Sequence, residues 1–268
     1  WSEGVEAVAD IANDNLIMGV KQASKIKYHT FIEFFSLGNH HIDEHLKLLN
    51  HPNTSLTPHS IYSVQDGPFR EICSMGDAPL SIHFMESDAE TELFVGRGSL
   101  AEWYAATGRE CDFLHYNSPS RRIVESIPAS RRVILVHNTR TTPADVRLIE
   151  GHFNEAPSWV LCPESNRYIS DSRPPVEQLA AMGCSIAIGT DSLSSARHLS
   201  MIDNLRLLNH SDLAEALMWA TAGGARALGL EQELGSIEIG KAPGLVIIEG
   251  ADLRSMRLTD SSKSHRII

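Results

Sequence analysis

The stretch PLSIHFMES, residues 79–87, contains the pattern from which the fold of this chain can be worked out. Its first half is almost continuously apolar, as a strand buried on both faces should be. His83 stands near the end of this predicted strand, and Glu86 follows where polar residues replace apolar ones. A neutral imidazole is a good zinc ligand, and a nearby carboxylate can move a proton. A hydrogen-bonded histidine and a glutamate that opens a helix would explain the same letters, so the stretch alone favours a structural role.

The same succession of an apolar run and a helical stretch recurs along the chain. Strand followed by helix, many times over, predicts an α/β fold with parallel strands joined by right-handed crossovers. These repeats approach a (β/α)8 TIM barrel but do not complete one, even when NLIMGV (15–20) is added as a further strand. The other strand candidates are KYHTFIEFF (27–35), SLTPHSI (55–61), PLSIHF (79–84), RVILVH (132–137), SWVLC (158–162) and SIAIGT (185–190).

Titratable side chains cluster at the carboxyl ends of these predicted strands, which form the catalytic face of a barrel enzyme. They are His59, His83, His137 and Asp191. His137 could hydrogen-bond a substrate or stabilise a developing negative charge, Asp191 could ligate a metal, and His59 could contact substrate. Each also has an ordinary explanation as a turn or capping residue. Together they point at one pocket, where Glu86 supplies the acid/base group of a metal-assisted hydrolysis.

Helix signals lie between the strands. In TPADVRLIEGH, Thr142 can cap a helix, Pro143 fits its first position and Asp145 favours its first turn. The stretches 87–106 and 211–230 are each predicted to be helical along their length.

The chain after residue 228 has a different character. ELGSIEIGKAPGLVIIEGADL (233–253) is rich in glycine and holds two short β runs, SIEI and GLVII. It is typical of a hairpin-like β element outside a barrel. We therefore divide the chain into a barrel domain, residues 1–228, and a C-terminal β segment, residues 229–268.

Composition limits the partners of this protein. The 268 residues carry a net charge of −11, with 42% hydrophobic and 21% charged residues, and contain no basic tract. An acidic surface argues against nucleic acid or an anionic membrane as the main partner. No apolar run approaches the ~20 residues of a membrane-spanning helix. The four cysteines form no C-x-x-C pair, which favours reduced thiols and a cytoplasmic location.

A second histidine motif offers a competing hypothesis. His41, Glu44 and His45 spell H-x-x-E-H, the spacing of some zinc peptidases on a helix. A peptidase would need a third ligand and a different fold around this helix. We interpret the motif as a chance match on a polar connecting helix.

Beyond these single motifs, the chain resembles the amidohydrolase superfamily, specifically its deaminase and chlorohydrolase branch. The resemblance implies a (β/α)8 barrel with a small β-sandwich made from both chain ends. It also implies one divalent metal, with zinc expected and iron as the alternative, and pairing into a homodimer. The matching segments, in family order, are LTPHSIYSV, PLSIHFMESDAETELF, RVILVHNT, WVLCPESNRYI, SIAIGTDSLSS and WATAGGARALGLEQELGSIEIGKAPGLVII.

The resemblance also implies roles for individual residues. His83 resembles the metal ligand on the fifth strand, and Asp191 resembles the metal ligand on the eighth. Glu86 resembles the proton shuttle, and His137 the histidine that contacts substrate or polarises the attacked centre. His59 resembles a histidine that touches substrate in nucleoside deaminases.

Of two further parts of the family pattern, one is present in this sequence and the other is missing. Pro163 and Asn166 belong to a C-P-x-S-N signature, which we interpret as mainly structural. The H-x-H that supplies two further histidine ligands at the end of the family's first strand has no counterpart in this sequence. We therefore expect these residues to belong to a longer chain whose upstream part carries those ligands. His83 and Asp191 alone are too few ligands to hold zinc well.

The resemblance implies a metal-dependent hydrolase acting on non-peptide C–N bonds of a small molecule. Hydrolytic deamination of an aminated heterocycle or nucleoside is the first expectation. Hydrolysis of a cyclic amide or a C–Cl bond on the same site is the alternative. A metal-free relative that only binds ligand is a third hypothesis.

Overall fold

The computed structural model describes residues 1–35 and 41–268. Contacts between residues divide this part of the chain into two compact units. The first unit comprises Trp1–Asp10, Leu16–His29 and Ser158–Ile268, and the second comprises Ile11–Asn15 and Thr30–Pro157. No helix among the described residues is both long and apolar enough to cross a bilayer.

Strands and helices alternate through most of the chain. The strands are β1 (Ala7–Ala12), β2 (Lys27–Phe34), β3 (Thr54–Pro58), β4 (Leu80–Phe84), β5 (Val133–His137), β6 (Ser158–Leu161), β7 (Ser185–Ile188), β8 (Val246–Glu249) and β9 (Lys263–Arg266). The α-helices are α1 (Met18–Ala23), α2 (Ile42–Leu46), α3 (Asp66–Ser74), α4 (Asp88–Leu93), α5 (Gly98–Ala106), α6 (Pro119–Ser126), α7 (Pro143–Glu150), α8 (Pro163–Ser170), α9 (Val176–Ala181), α10 (Met201–Leu208), α11 (Leu213–Met218) and α12 (Gly224–Ala227). A 3-10 helix spans Leu114–Tyr116, and a π-helical stretch spans Trp219–Gly223.

The six apolar runs predicted as buried strands are strands β2 to β7. In the second unit, β2 pairs with β3 and β4 pairs with β5, and in the first unit β6 pairs with β7. All three pairs are parallel, which the alternation with helices predicted. The strand residues are largely buried, because helices cover a parallel sheet on its faces.

The prediction of a strand over NLIMGV (15–20) is wrong. Helix α1 occupies Met18–Ala23, and a strand lies earlier instead, at β1. Met18 and Lys21 are buried while Leu16 is 84% exposed and Val20 is 72% exposed. The buried residues are three positions apart, which is a helical and not a strand period.

Glycine interrupts the helix predicted over 87–106. The segment forms α4 and α5, with Gly96 at φ +71° between them and Gly98, the first residue of α5, at φ +82°. These left-handed conformations interrupt the helix and suit glycine, which has no Cβ. The predicted capping of α7 is confirmed, because the Thr142 side chain accepts from the backbone N–H of Asp145 while the Asp145 carboxylate accepts from the N–H of Thr142.

The last predicted helix is interrupted by a π-helical turn where it packs closely against β7. The stretch 211–230 passes from α11 through a π-helical turn into α12. A Cβ on Gly223 would lie 2.2 Å from the backbone oxygen of Ile186 in β7. Only glycine allows the turn to pack this closely on the strand.

The C-terminal segment forms a β element, as predicted, but the strand that pairs with β8 differs from the predicted one. SIEI (236–239) is not a strand, and β8 pairs antiparallel with β9 instead. The N-terminal residues pack on this pair within the first unit, since the backbone N–H of Arg266 donates to Ser2 and the Arg266 guanidinium pairs with Glu6. Both chain ends therefore contribute to one small β element, while the domain boundary at residue 228 remains a prediction.

Arg122, on α6, holds the loop that follows β3 in the second unit. It is fully buried, and its guanidinium lies over the rings of Phe69 and Phe113 at 4.5 and 4.1 Å. Nη1 donates to the Ile61 carbonyl at 2.6 Å and Nη2 to the Val64 carbonyl at 2.7 Å. Burial lowers the pKa of Arg122 to about 10. The charge is compensated by two carbonyls and two aromatic faces, and the charges of Asp66 and Asp112 add to this.

Replacing Arg122 by methionine should lower the free energy of unfolding by about 3 kcal/mol, because two buried carbonyls lose a charged donor. Urea unfolding of Arg122→Met measures this change. The control is Arg121→Met, at the exposed neighbouring position on the same helix, with an expected change below about 0.5 kcal/mol. Equal losses in the two variants would contradict the role of Arg122.

His210 links α9 to α11 in the first unit. Its Nδ1 lies 2.7 Å from Glu177 Oε1 and its Nε2 lies 2.7 Å from Glu215 Oε2. Burial by itself lowers the pKa of His210, but the hydrogen bonds and charges of Glu215 and Glu177 outweigh burial and raise the pKa above 6.5. Both ring nitrogens therefore donate in the favoured, protonated form.

The stabilisation by His210 should depend on pH. In the unfolded chain the imidazole titrates near 6.5, so the stabilisation is complete below that pH and is lost as pH rises through the raised folded-state pKa. His210→Gln should cost about 1 kcal/mol at pH 5.5, a modest value because both carboxylates are partly exposed to water. Urea unfolding at pH 5.5, 7 and 9 measures the free energy of unfolding of the variant and of the unaltered protein. The difference between the two should shrink as the pH rises. A constant difference across these pH values would contradict this prediction.

Candidate functional site

Parallel register brings polar side chains to one edge of the second unit. The register aligns Phe34 with Pro58 and Phe84 with His137. A further parallel bridge joins Ser60 to His83. Since every strand runs in the same direction, the residues at the strand ends face the same edge. The side chains gathered there are Glu33 near the end of β2, His59 after β3, His83 near the end of β4, Glu86 after β4, and His137 at the end of β5.

These side chains form a continuous series of contacts. His83 Nδ1 lies 3.6 Å from Glu33 Oε1. The ring centroids of His59 and His83 are 4.8 Å apart, and those of His83 and His137 are 5.2 Å apart. His137 Nδ1 lies 3.7 Å from Glu86 Oε1. The structure therefore brings together four of the predicted site residues, His59, His83, Glu86 and His137, and adds Glu33.

The backbone around Glu86 is fixed on its amide side by Glu90. The Glu90 carboxylate accepts hydrogen bonds from the backbone N–H groups of Met85, Glu86 and Ser87 at 2.8, 2.7 and 3.2 Å. Glu90 is buried, and burial raises its pKa to about 8, although the three N–H donors favour the carboxylate. Ser87 and Glu90 form a capping box at the start of α4.

The carbonyl side of the same loop is held from the end of β5. The Thr139 hydroxyl donates to the carbonyls of Met85 and Glu86, and the backbone N–H of Arg140 donates to the Met85 carbonyl at 3.0 Å. His137 and Asn138 both have positive φ, +82° and +58°. Such conformations are costly for residues other than glycine and are found at functional sites that the surroundings over-determine.

His59 is held in a neutral form. Its Nδ1 lies 2.8 Å from Ser63 Oγ, which in turn accepts from Ser60 Oγ. Burial, followed by the charge on His83, lowers the pKa of His59 to about 3. Burial, with the charges of Glu90 and Glu86, raises the pKa of the neighbouring Tyr62. Both groups are therefore neutral hydrogen-bonding groups at physiological pH.

Asp191 belongs to the first unit, where it follows β7 with φ +58°. Its Oδ2 accepts from the hydroxyls of Ser165 and Ser195, and its Oδ1 accepts from the backbone N–H of Ser192 at 2.7 Å. Ser165 is the serine of the C-P-x-S-N signature. That signature therefore orients an acidic side chain as well as starting helix α8.

The donor atoms in the second unit suit a divalent metal. Among the residues that the structure describes, one group of three possible ligands has its donor atoms within 4.8 Å of one another, namely Glu33, His59 and His83. Two imidazoles and one carboxylate are the usual protein ligands of a catalytic zinc.

Three contributors were missed by the sequence analysis. Glu33 carried a signal, since it is the one acid in the apolar run FIEFF. Glu90 carried another, since SDAE has the spacing of a capping box. The contact of Ser165 with Asp191 joins two separate signatures, and no local pattern indicates it.

The H-x-x-E-H motif is not arranged as a helical metal site. Helix α2 begins only at Ile42, so His41 is an extended residue before it. His45 Nδ1 lies 3.3 Å from the backbone oxygen of His41, and its ring packs on Phe34. The interpretation of this motif as a chance match agrees with this geometry.

Known proteins resemble this chain in sequence. The profile of the amidohydrolase family matches residues 2–266. The 5-methylthioadenosine/S-adenosylhomocysteine deaminase of Teredinibacter turnerae is 30% identical over 220 residues, which cover 76% of this chain and 45% of that enzyme. The chain thus spans about half the length of this curated relative.

Two solved structures extend the similarity to the fold. Helicobacter pylori aminofutalosine deaminase matches with a TM-score of 0.78 and 26% identity, over 91% of this chain and 65% of that one. An adenosine deaminase of Xanthomonas campestris with bound zinc matches with a TM-score of 0.68 and 26% identity, over 88% of this chain and 56% of that one. The α/β fold with parallel strands is a partial (β/α)8 barrel of the type these enzymes have.

Loss of a donor from the second unit should weaken metal binding. In protein stripped with a chelator and dialysed against zinc, His83→Ala and Glu33→Gln should each lower zinc affinity at least about tenfold, as changes near a metal site commonly do. His265→Ala, which removes an exposed imidazole on β9, is the matched control and should bind zinc unchanged. Elemental analysis after dialysis gives the zinc content, and full retention by His83→Ala would exclude this group as a metal site.

Proposed function

Because this chain belongs to the amidohydrolase family, we propose that it is a hydrolase that deaminates an aminated heterocycle or a nucleoside. The proposal rests on one observation above the others. The Glu86 carboxylate lies beside His137, and His137 lies beside His83. Glu86 itself is on a loop whose backbone N–H and C=O groups are both hydrogen-bonded. Relatives named as deaminases of adenine nucleosides support the same reaction class.

The proposed metal ligands are His83 and Asp191, as the resemblance implies, with Glu33 as a further carboxylate near His83. His59, the third member of the donor group, is assigned to the substrate instead, as the resemblance implies. A divalent metal supplies Lewis acidity that makes water a nucleophile near neutral pH. Zinc is the first choice, because imidazole and carboxylate ligands suit it and a similar adenosine deaminase binds it. Iron remains the alternative.

Glu86 moves the proton in the proposed reaction. Its carboxylate takes a proton from water as the oxygen adds to the carbon that bears the amino group. It then donates that proton to the departing nitrogen, the C–N bond breaks, and ammonia and a carbonyl product leave.

The histidines position the substrate. His137 is proposed to hydrogen-bond the attacked ring as negative charge develops on it. His59, held neutral between Ser63 and His83, is proposed to contact the substrate away from the reacting carbon. Asp191, oriented by Ser165 and Ser195, is proposed to hold and align the nucleophile.

The proposal also includes the class of substrate, the location, the oligomeric state and the domain boundary of this protein. We propose a small-molecule substrate rather than nucleic acid, given the net charge of −11. A cytoplasmic location, a homodimer and a barrel domain ending near residue 228 complete the proposal.

Replacing Glu86 by glutamine should lower kcat by about 100-fold or more, because general acid–base catalysis contributes factors of this size. KM should change little, since the amide keeps the shape of the side chain. The measurement is ammonia release from adenosine and 5-methylthioadenosine by the zinc-loaded protein. Glu102→Gln, at an exposed position on α5, is the matched control and should keep full activity.

The same assay separates the alternatives. Chloride release from a chlorinated triazine, or ring opening of a cyclic amide, without ammonia release from nucleosides would favour the alternative hydrolases. Nucleoside binding with no turnover of any substrate would favour the metal-free relative. Full activity in Glu86→Gln would exclude the proposed role of Glu86.

A further inference from the structure

Glu90 makes more hydrogen bonds than helix capping requires. A capping box needs its acid to accept from one backbone N–H, here that of Ser87. Glu90 also accepts from the N–H groups of Met85 and Glu86, with Oε2 on Met85 and Oε1 on Glu86 and Ser87. The carboxylate is 1% exposed, so all three contacts are made away from bulk water.

The loop that receives these bonds has an unusual backbone. Met85 has φ +49°, a left-handed conformation that is unfavourable for a side chain of its size. This conformation turns the chain sharply between His83 on β4 and Glu86 in the loop. Three N–H groups directed at one carboxylate can stabilise the turn, because buried N–H groups without an acceptor would be costly.

Contacts from the residues that follow β5 hold the carbonyl groups of the same loop. Thr139 and Arg140 donate to the carbonyls of Met85 and Glu86, so the peptide groups on either side of the Glu86 Cα are held at both ends. Thr139 and Arg140 follow directly on His137 and Asn138. The same contacts therefore set the position of Glu86 relative to His137, whose Nδ1 is 3.7 Å from Glu86 Oε1.

We propose that Glu90 is a positioning residue, which holds the Glu86 carboxylate in line with His137 through the backbone N–H groups of residues 85–87. The inference rests on the proposed role of Glu86 as proton shuttle. Glu90 acts through the loop and does not touch the substrate. Geometry of this kind matters because a displacement of about 1 Å at a catalytic group can lower a rate about 100-fold.

Glu90→Gln tests the proposal in the zinc-loaded full chain. The glutamine keeps the size of the side chain, but its NH2 group cannot accept a hydrogen bond, so at least one N–H of residues 85–87 loses its acceptor. We expect kcat to fall about 10- to 100-fold with KM changed less than about threefold. Glu102→Gln again serves as the matched control, and the midpoint of thermal unfolding shows whether the variant is folded.

A second readout does not depend on activity. Amide hydrogen exchange of residues 85–87 should be at least about tenfold faster in Glu90→Gln, while strands β4 and β5 exchange as before. Zinc content should be unchanged, which separates loss of positioning from loss of metal.

The outcomes distinguish the two proposals. If the unaltered protein releases no ammonia and residues 85–87 exchange faster in Glu90→Gln, the proposed function fails while the restraint of the loop stands. If the unaltered protein is active and Glu90→Gln has the same kcat, the positioning role is wrong. Unchanged exchange at residues 85–87 overturns the proposal whatever the activity.

Discussion

The candidate site depends on the common direction of the strands in the second unit. Parallel pairing places the carboxyl ends of β2 to β5 at one edge, so that residues as far apart in the sequence as Glu33 and His137 join one cluster. Glu33, His59, His83 and His137 are each near the end of a strand, and they lie within contact distance of one another in series. A slip of one residue in any strand would turn its side chain to the opposite face.

Two buried ionisable side chains hold the loops after β3 and β4, one through backbone carbonyls and the other through backbone amides. Arg122 donates to carbonyls of the loop after β3, and Glu90 accepts from amides of the loop after β4. A buried polar side chain is tolerated only where hydrogen bonds satisfy it, so each of these residues requires one arrangement of its loop. His59 and Glu86 lie on these two loops, which links the stability of the fold to the geometry of the site.

Within the first unit, backbone and serine groups are arranged in a comparable way around Asp191. Ser165, from the start of α8, and Ser195 both donate to its carboxylate. A carboxylate with its oxygens held in this way has a defined orientation before any ligand binds. The family relationship and the named deaminases give this arrangement its chemical meaning, since the fold alone serves many reactions.

The sequence by itself determined the strands β2 to β7, their parallel direction, the capping of α7 and four residues of the cluster, His59, His83, Glu86 and His137. These features arise from local periodicity and from the position of polar residues after apolar runs, which are visible in single segments. Only the tertiary structure decided that 18–23 is a helix, that β8 pairs with β9 rather than with residues 236–239, and that Glu33 joins the histidines. It also decided that Glu90 binds three amides. These outcomes depend on burial and on contacts between distant segments, whose free energies outweigh the weak local preferences of short stretches.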